Sequence, residues 1–319
     1  MILILTNSKD ATADFLIPIL EDSGLKIVRL NTDELVEVAS LAYSNRTATL
    51  SIQGRNLRAD EVHHIWYRRP ERLESEQFDG SAEALFSLNE WSAAIEGFLA
   101  HVPHRRWMNH PSSNVAASCK MEQLTTAESL GFKVPTTLIT QDSIAAIQFF
   151  RKCGGQTVVK PLSNGYVERP DGIDSLIYTN RLTSHHLESF AQDISRCPVL
   201  LQELVPKESD VRITVVDNDI HAVVLKANDD EGMQRCDIRR NNMDDVDYSV
   251  INLPGEIQQC VRELMLRYRL RFAAIDMAID TQQQWWFFEI NPNGQWAWLD
   301  ILSVTSIGGS FVKAFEDVE

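Results

Sequence analysis

Residues 272–294 read FAAIDMAIDTQQQWWFFEINPNG, two strand-like runs around a polar connection. Phe272–Asp280 and Trp285–Asn291 are rich in apolar β-formers, while Thr281-Gln282-Gln283-Gln284 has the polarity of a loop. A hairpin closed by those four residues sets Asp280 opposite Trp285. The same register sets Asp276 directly opposite Glu289. Side chains two residues apart share a face, so Asn291 is expected beside the two carboxylates. The other face would then carry Ile275, Met277, Ile279, Trp286, Phe288 and Ile290, all apolar, and is expected to be core.

Two acids facing each other across a sheet destabilise it, because opposed Cβ atoms sit only about 4.5–5.5 Å apart. A solvent-facing hairpin edge with scattered acids would tolerate this. Otherwise a cation must offset the repulsion. Mg²⁺ does so with one or two carboxylates and completes its shell with phosphate oxygens, and Asn291 adds a neutral oxygen. A carboxylate dyad for glycoside hydrolysis also needs two acids, but it leaves Asn291 and the upstream lysines without a role.

Upstream, Thr157–Lys160 reads as a strand ending in a lysine, which either snorkels or meets a phosphate as a point charge. The following loop, 161–172, is a candidate phosphate cover, although no GxxxxGK[ST] pattern exists. Gln202-Glu203-Leu204-Val205 ends another apolar strand, whose extended backbone is suited to an adenine edge. Asp210 and Arg212 alternate on the next strand, where a salt-bridged sheet edge is the plainer reading. Nearer the N-terminus, a strand over 1–6, a helix over 11–23 closed by Gly24 and a strand over 25–30 form a βαβ unit, so a parallel sheet opens the chain. Helices are expected over 82–99, 116–130, 143–153 and 256–268. Turn chemistry near Pro111 and again near Pro206 divides the chain into 1–112, 113–204 and 205–319.

The 319 residues suit two or three packed subdomains, and a net charge of −15 argues against nucleic acid or an anionic membrane as partner. Five cysteines without a CxxC pair make a disulfide frame or zinc knuckle improbable and fit a reducing cytoplasm. The N-terminal apolar run is short and has no basic lead, so it is read as a buried strand, not a signal peptide. No GxSxG or HExxH signature is present, and the eight histidines lack ligand spacing.

The ordered set Lys120, Lys160, Gln202-Glu203-Leu204-Val205, Asp210-Val211-Arg212-Ile213-Thr214-Val215, Asp276 and Glu289-Ile290-Asn291-Pro292 resembles the ATP-grasp superfamily. The resemblance runs from about 118 to 294. It implies a mixed α/β fold: an N-terminal βαβ pre-ATP-grasp domain, a central α/β subdomain and a C-terminal subdomain. It also implies ATP and Mg²⁺ as cofactors. Lys120 and Lys160 would contact phosphates, and Gln202 to Val205 would line the adenine hinge, with Glu203 and Val205 using backbone atoms. Asp210 and Arg212 would belong to the nucleotide site, and Asp276, Glu289 and Asn291 would hold the metal. Either Arg239 or Arg240, in the segment containing Asp237, would stabilise the acyl-phosphate transition state. The loop after Lys160 departs from the pattern in being poor in glycine.

Within that superfamily the chain is similar to the microviridin-type, or graspetide, peptide ligases. The shared marks include Ile65-Trp66-Tyr67-Arg68-Arg69-Pro70, Lys120 opening a helix, Ala273-Ala274-Ile275-Asp276-Met277 and Phe288-Glu289-Ile290-Asn291-Pro292-Asn293-Gly294. This likeness implies a homodimer that binds the leader of a ribosomal precursor peptide. It would join Asp or Glu side chains to Ser/Thr hydroxyls or Lys amines as macrocyclic ω-esters or ω-amides. Arg68 and Arg69 would meet substrate carboxylates or form a structural ion pair between domains. Residues 295–299 would line the acceptor or pack as core. The competing expectations are a ligase that extends a peptide or protein C-terminus, like the ribosomal-protein glutamate ligases, and a nucleotide-binding regulator without catalysis.

Overall fold

The structure is a computed structural model that describes all residues except 74–78, 164, 168, 170, 171, 173, 174, 230, 241, 242 and 317–319. The expected phosphate loop therefore lies partly outside the described residues, Asn164 included.

The chain opens with the parallel βαβ unit. Strand Ile2–Thr6 pairs in parallel with Ile27–Asn31 on one side and His64–Tyr67 on the other, and Trp107–Met108 completes a four-stranded sheet. All five residues of Ile2–Thr6 are buried, as a central parallel strand requires. In the chain between Ile27–Asn31 and His64–Tyr67 an antiparallel meander runs through Ala39–Ser44, Thr47–Ile52 and Arg55–Arg58.

The central unit is an antiparallel sheet in the order Asn180–Arg181, Thr157–Lys160, Val199–Glu203, Thr137–Thr140. Ala146 and Phe149 of helix Ser143–Lys152 pack with Leu201 and Val159 on one of its faces. The other face, which carries Val158, Lys160 and Gln202, turns towards the C-terminal sheet.

That second antiparallel sheet has the order Asp247–Val250, Asp219–Lys226, Lys207–Val216, Phe272–Asp280, Trp285–Asn291. Val211, Ile213, Ile275 and Met277 pack beneath it against Val261, Leu264 and Met265 of the amphipathic helix Gly255–Tyr268.

Two expectations change. The helix expected over 116–130 is two helices, Pro111–Ala117 and Lys120–Ser129. Cys119, extended at φ −81° and ψ 98°, breaks them, so Lys120 stands on the first turn of the second helix. The hairpin also carries a bulge. Ile279, Ala278 and Met277 pair with Trp285, Trp286 and Phe287, then Asp276 pairs with Glu289, leaving Phe288 as the extra residue. Trp285 faces Ile279, so Asp280 loses its partner in the hairpin, though it still pairs with Lys207 on the other side, and its carboxylate ties the turn by accepting from the amides of Gln282 and Gln284 at 2.8 and 2.9 Å. The Asp276–Glu289 pairing holds. The core face holds for Ile275, Met277, Ile279 and Ile290 but not for Trp286 and Phe288: Trp285 and Phe287 take their places, and Phe288 turns to the carboxylate side.

Candidate active site

The cleft between the central and C-terminal sheets collects the charged residues singled out in the sequence. Asp276 and Glu289 stand opposite each other at its floor, each with a cation in contact. Arg212, paired with Asp276 across the ladder, places Nε 3.1 Å from its carboxylate. Lys120 reaches from its helix start to Glu289 at 3.1 Å and donates to the carbonyl of Pro161, also at 3.1 Å. Both carboxylates keep about a third of their side-chain surface open, at 31% and 36%. Burial pushes the Asp276 carboxyl up to about 6, with Arg212 opposing and Glu289 reinforcing the shift. For Glu289 burial also acts upward, but Lys120 and Lys160 outweigh it and hold the group below the usual glutamate range.

Lys160 enters from the opposite wall. Its ammonium lies 4.3 Å from the centre of the Phe288 ring, a cation–π contact that the bulge makes possible. Burial lowers its pKa to about 8, although Glu289 pulls the other way.

Asp210 is fully engaged. It accepts from Lys207 Nζ at 2.7 and 2.8 Å and from Gln234 Nε2 at 2.9 Å. Lys207 also donates to the carbonyl of Cys236. The sequence reading missed Lys207 and Gln234, though a lysine three residues before Asp210 in one strand region was a visible signal. In the segment expected to form the adenine hinge, the amide of Glu203 pairs with the Thr136 carbonyl and that of Leu204 with the Gln156 carbonyl, while the Glu203 carboxylate accepts from Thr136. Val205 is buried and its carbonyl accepts from the amide of Lys207.

Asp237, Arg239 and Arg240 form a bridge between the two sheets. Asp237 is buried and binds Arg239 through Nε and Nη2 at 2.9 and 2.7 Å, and accepts from the amide of Thr179 in the central unit. Burial alone would raise its pKa, but Arg239 and the backbone donors bring it down to about 2. Asp237 therefore positions Arg239. Arg239 lies over Tyr178 and feels both Asp276 and Glu289, whereas Arg240 donates to Asn180 at 2.8 Å. Of the two arginines, Arg239 is the one that Asp237 holds.

Arg68 has no exposed surface. Its guanidinium donates to the Asn293 carbonyl and to Gln295 Oε1 and pairs with Asp10 at 3.5 Å. Such an arginine cannot offer a fork to a substrate carboxylate; its ion pair with Asp10 lies within the N-terminal unit, and what reaches across to the last third of the chain is its hydrogen bonds to Asn293 and Gln295. Arg69 is exposed, and its carbonyl accepts from Asn7. Trp296 and Leu299 are fully buried, so much of the 295–299 segment is core.

The backbone after Glu289 is held by amide side chains that the sequence reading did not single out. Gln123 donates to the Ile290 carbonyl and accepts from its N–H, and Asn109 donates to the carbonyls of Phe272 and Pro292. Gly294 lies so close to Ala274 that a Cβ would come within 2.3 Å of the Ala274 side chain.

The donors fit Mg²⁺. Among the described residues no cluster of three or more His, Cys, Asp or Glu is suited to a metal. Asp276, Glu289 and the Asn291 amide oxygen, which accepts from the Asn293 amide at 3.0 Å, would leave the remaining places of a hard cation such as Mg²⁺ to phosphate oxygens and water. Among the described residues, too, no helix is long and apolar enough to cross a membrane.

Comparison with known proteins places the fold among ATP-grasp ligases. Residues 1–115 match the family model of the MvdD pre-ATP-grasp domain. The macrocyclase MdnC from Microcystis aeruginosa MRC, solved with its precursor peptide MdnA, superposes with a TM-score of 0.84 at 25% identity, covering 100% of this chain and 99% of that one. A Chryseobacterium gregarium RiPP-associated ATP-grasp ligase, solved with ADP and a leader and core peptide, gives 0.81 at 25% identity over 99% and 96%. The ATP-grasp ligase PsnB, solved with a minimal precursor, Mg and ADP, gives 0.77 at 18% identity over 98% and 96% and speaks for the fold alone. No curated protein sequence matches the chain.

Proposed function

We propose that this chain, an ATP-dependent ligase of the ATP-grasp type by fold and site, cross-links side chains of a ribosomally made peptide. The observation that carries the reading is the full-length likeness to a precursor-bound macrocyclase, coupled with a cleft that sets cations around paired carboxylates. ATP and Mg²⁺ are its cofactors, and the substrate is a precursor peptide with a leader segment.

In this reading Lys120 and Lys160 hold the nucleotide phosphates. Asp276, Glu289 and Asn291 would hold Mg²⁺, which screens phosphate charge and orients the transferred group. Their present partners, Lys120 and Arg212, then turn to the phosphates and the incoming carboxylate. An Asp or Glu carboxylate of the peptide attacks the γ-phosphorus of ATP, ADP leaves, and an acyl phosphate forms. Arg239, fixed by Asp237, neutralises charge on the transferred phosphoryl oxygens. A Ser/Thr hydroxyl or Lys amine of the same peptide next attacks the acyl carbon. Phosphate leaves, and an ω-ester or ω-amide closes the ring.

Incubation with ATP, Mg²⁺ and a precursor peptide should lower the peptide's mass by about 18 Da for each bond, one water per condensation. A gain in mass would point instead to addition at a free C-terminus. Glu289→Gln should abolish coupling while leaving the fold intact; sustained turnover in that variant would remove Glu289 from the metal site.

A further inference from the structure

Three side chains beside the cleft have no part in the chemistry above. Asp210 shares with Arg212 the cleft side of the strand Lys207–Val216, since Val211 and Ile213 face the core. Its carboxylate is nonetheless taken up by neighbours: Lys207 Nζ donates at 2.7 and 2.8 Å, and Gln234 Nε2 at 2.9 Å. The Lys207 and Asp210 side chains are only 9% and 15% exposed, so each charge depends on the other. Gln234 is buried too and uses both ends of its amide. Its Oε1 accepts from the Ala227 N–H at 3.0 Å, and its Nε2 also donates to the Leu225 carbonyl at 3.1 Å.

These bonds lead to Arg239. Residues 234–239 belong to no helix or strand, so their course is set by what grips them. Gln234 fastens the start of the segment to Asp210. Two residues on, the Cys236 carbonyl accepts from Lys207 Nζ at 3.1 Å, so one ammonium clasps the segment to the strand. The next residue, Asp237, binds Arg239 through both carboxylate oxygens and accepts from the Thr179 amide. The Arg239 side chain is itself 53% exposed. A long solvated side chain has many rotamers open to it and keeps one place only while its partner does.

We propose that Lys207, Asp210 and Gln234 are positioning residues: they act through Cys236 and Asp237 to set Arg239, not by touching the nucleotide. This role rests on the ligase reading, in which Arg239 meets the transferred phosphoryl group. A contact made only in the transition state changes kcat and leaves ground-state binding alone. A displacement of about 1 Å can cost about a hundredfold in rate. Loosening the clasp therefore slows transfer without weakening the hold on Mg-ATP.

The test compares Lys207→Met and Gln234→Met with the wild type in two ways. In the nucleotide-free protein, amide hydrogen exchange reads the N–H groups of Thr179 and Arg240, which donate to the Asp237 carboxylate and carbonyl. Both should exchange at least about tenfold faster in the variants, while the strand Phe272–Asp280 keeps its protection. That pattern separates loss of the clasp from loss of the fold. With Mg-ATP and a precursor peptide, kcat for phosphate release should fall by about ten- to a hundredfold. The Kd for Mg-ATP, read by calorimetry, should stay within a few-fold of the wild type. In an Arg239→Ala background Lys207→Met should add little further loss, because both remove the same contact. Additive losses, or a weakened Kd with kcat unchanged, would show these residues serving the nucleotide directly and overturn the proposal. Unchanged exchange at Thr179 and Arg240 would overturn it as well. A wild type that turns over no ATP would remove the ligase reading and the catalytic role with it, whereas faster exchange in the variants would still establish the clasp.

Discussion

At the scale of single residues, Lys160 shows how this site is set against stability. Its pKa falls from 10.5 to about 8 because burial disfavours the ammonium. A lysine with a lowered folded-state pKa binds fewer protons than the unfolded chain between about pH 8 and 10.5. Below about pH 8 the full penalty applies; above it the penalty fades, so this group makes the nucleotide-free protein more stable as pH rises through that window. The penalty is about 3 kcal/mol near neutral pH. Lys160→Met should therefore raise the Tm of the nucleotide-free protein by several degrees at pH 7 and erase the Tm increase given by Mg-ATP. Differential scanning calorimetry with and without nucleotide reads both effects; a lower Tm without nucleotide would contradict the burial argument. The sequence marked Lys160 as a lysine closing an apolar strand but left snorkelling open, and the structure sets its ammonium against Phe288 beside the carboxylate pair. Lys207 was not singled out, since its meaning depends on Asp210 and on the Cys236 carbonyl, 29 residues away.

At the scale of elements, the hairpin was readable to the level of its pairing but not of its phase. Alternation alone places Phe288 in the core, and no residue in Trp285–Asn291 announces a bulge, because Phe287 and Phe288 are chemically the same. The structure resolves the choice by packing: Phe287 fills a space beside Phe132, with ring centres 5.1 Å apart, and Phe288 is left for Lys160. The supports behind the hairpin were equally hidden. Asn109, with φ at 55°, accepts from the amides of Arg271 and Phe272 and donates to the carbonyls of Phe272 and Pro292. Its partners lie more than 160 positions away, beyond any local pattern. Asn109→Gly keeps the left-handed backbone at no steric cost and removes only the amide. It should cost roughly 2–4 kcal/mol in urea unfolding, from buried backbone groups left unpaired. A change under about 0.5 kcal/mol, the ordinary surface value, would show that these bonds are not needed.

At the scale of the whole molecule, the expected division was into 1–112, 113–204 and 205–319, but the core does not stop at the first of these boundaries. Leu16, Leu20 and Trp66 from the N-terminal unit share one cluster with Phe272, Trp296, Phe311 and Phe315 from the last third. Helix Ile307–Glu316 packs on helix Ala11–Asp22, and a Cβ at Gly308 would stand 3.1 Å from Ile19, so the two approach closely. Arg68, paired with Asp10 inside the N-terminal unit, adds buried hydrogen bonds to the segment that follows Asn291. Sequence punctuation marks where elements change; it carries no sign that the final helix returns to the first. Because one core serves both ends, the N-terminal unit and the C-terminal sheet should unfold together. Phe311 is fully buried, stacks on Trp296 at 5.1 Å and touches the rings of Trp66, Phe272 and Phe315. Phe311→Ala should cost about 3–5 kcal/mol and lower the Tm by roughly 5–10 °C. Calorimetry should show the N-terminal and C-terminal units shifting as a single transition. Two separated transitions, with only one displaced by the substitution, would mean that the shared cluster does not couple them.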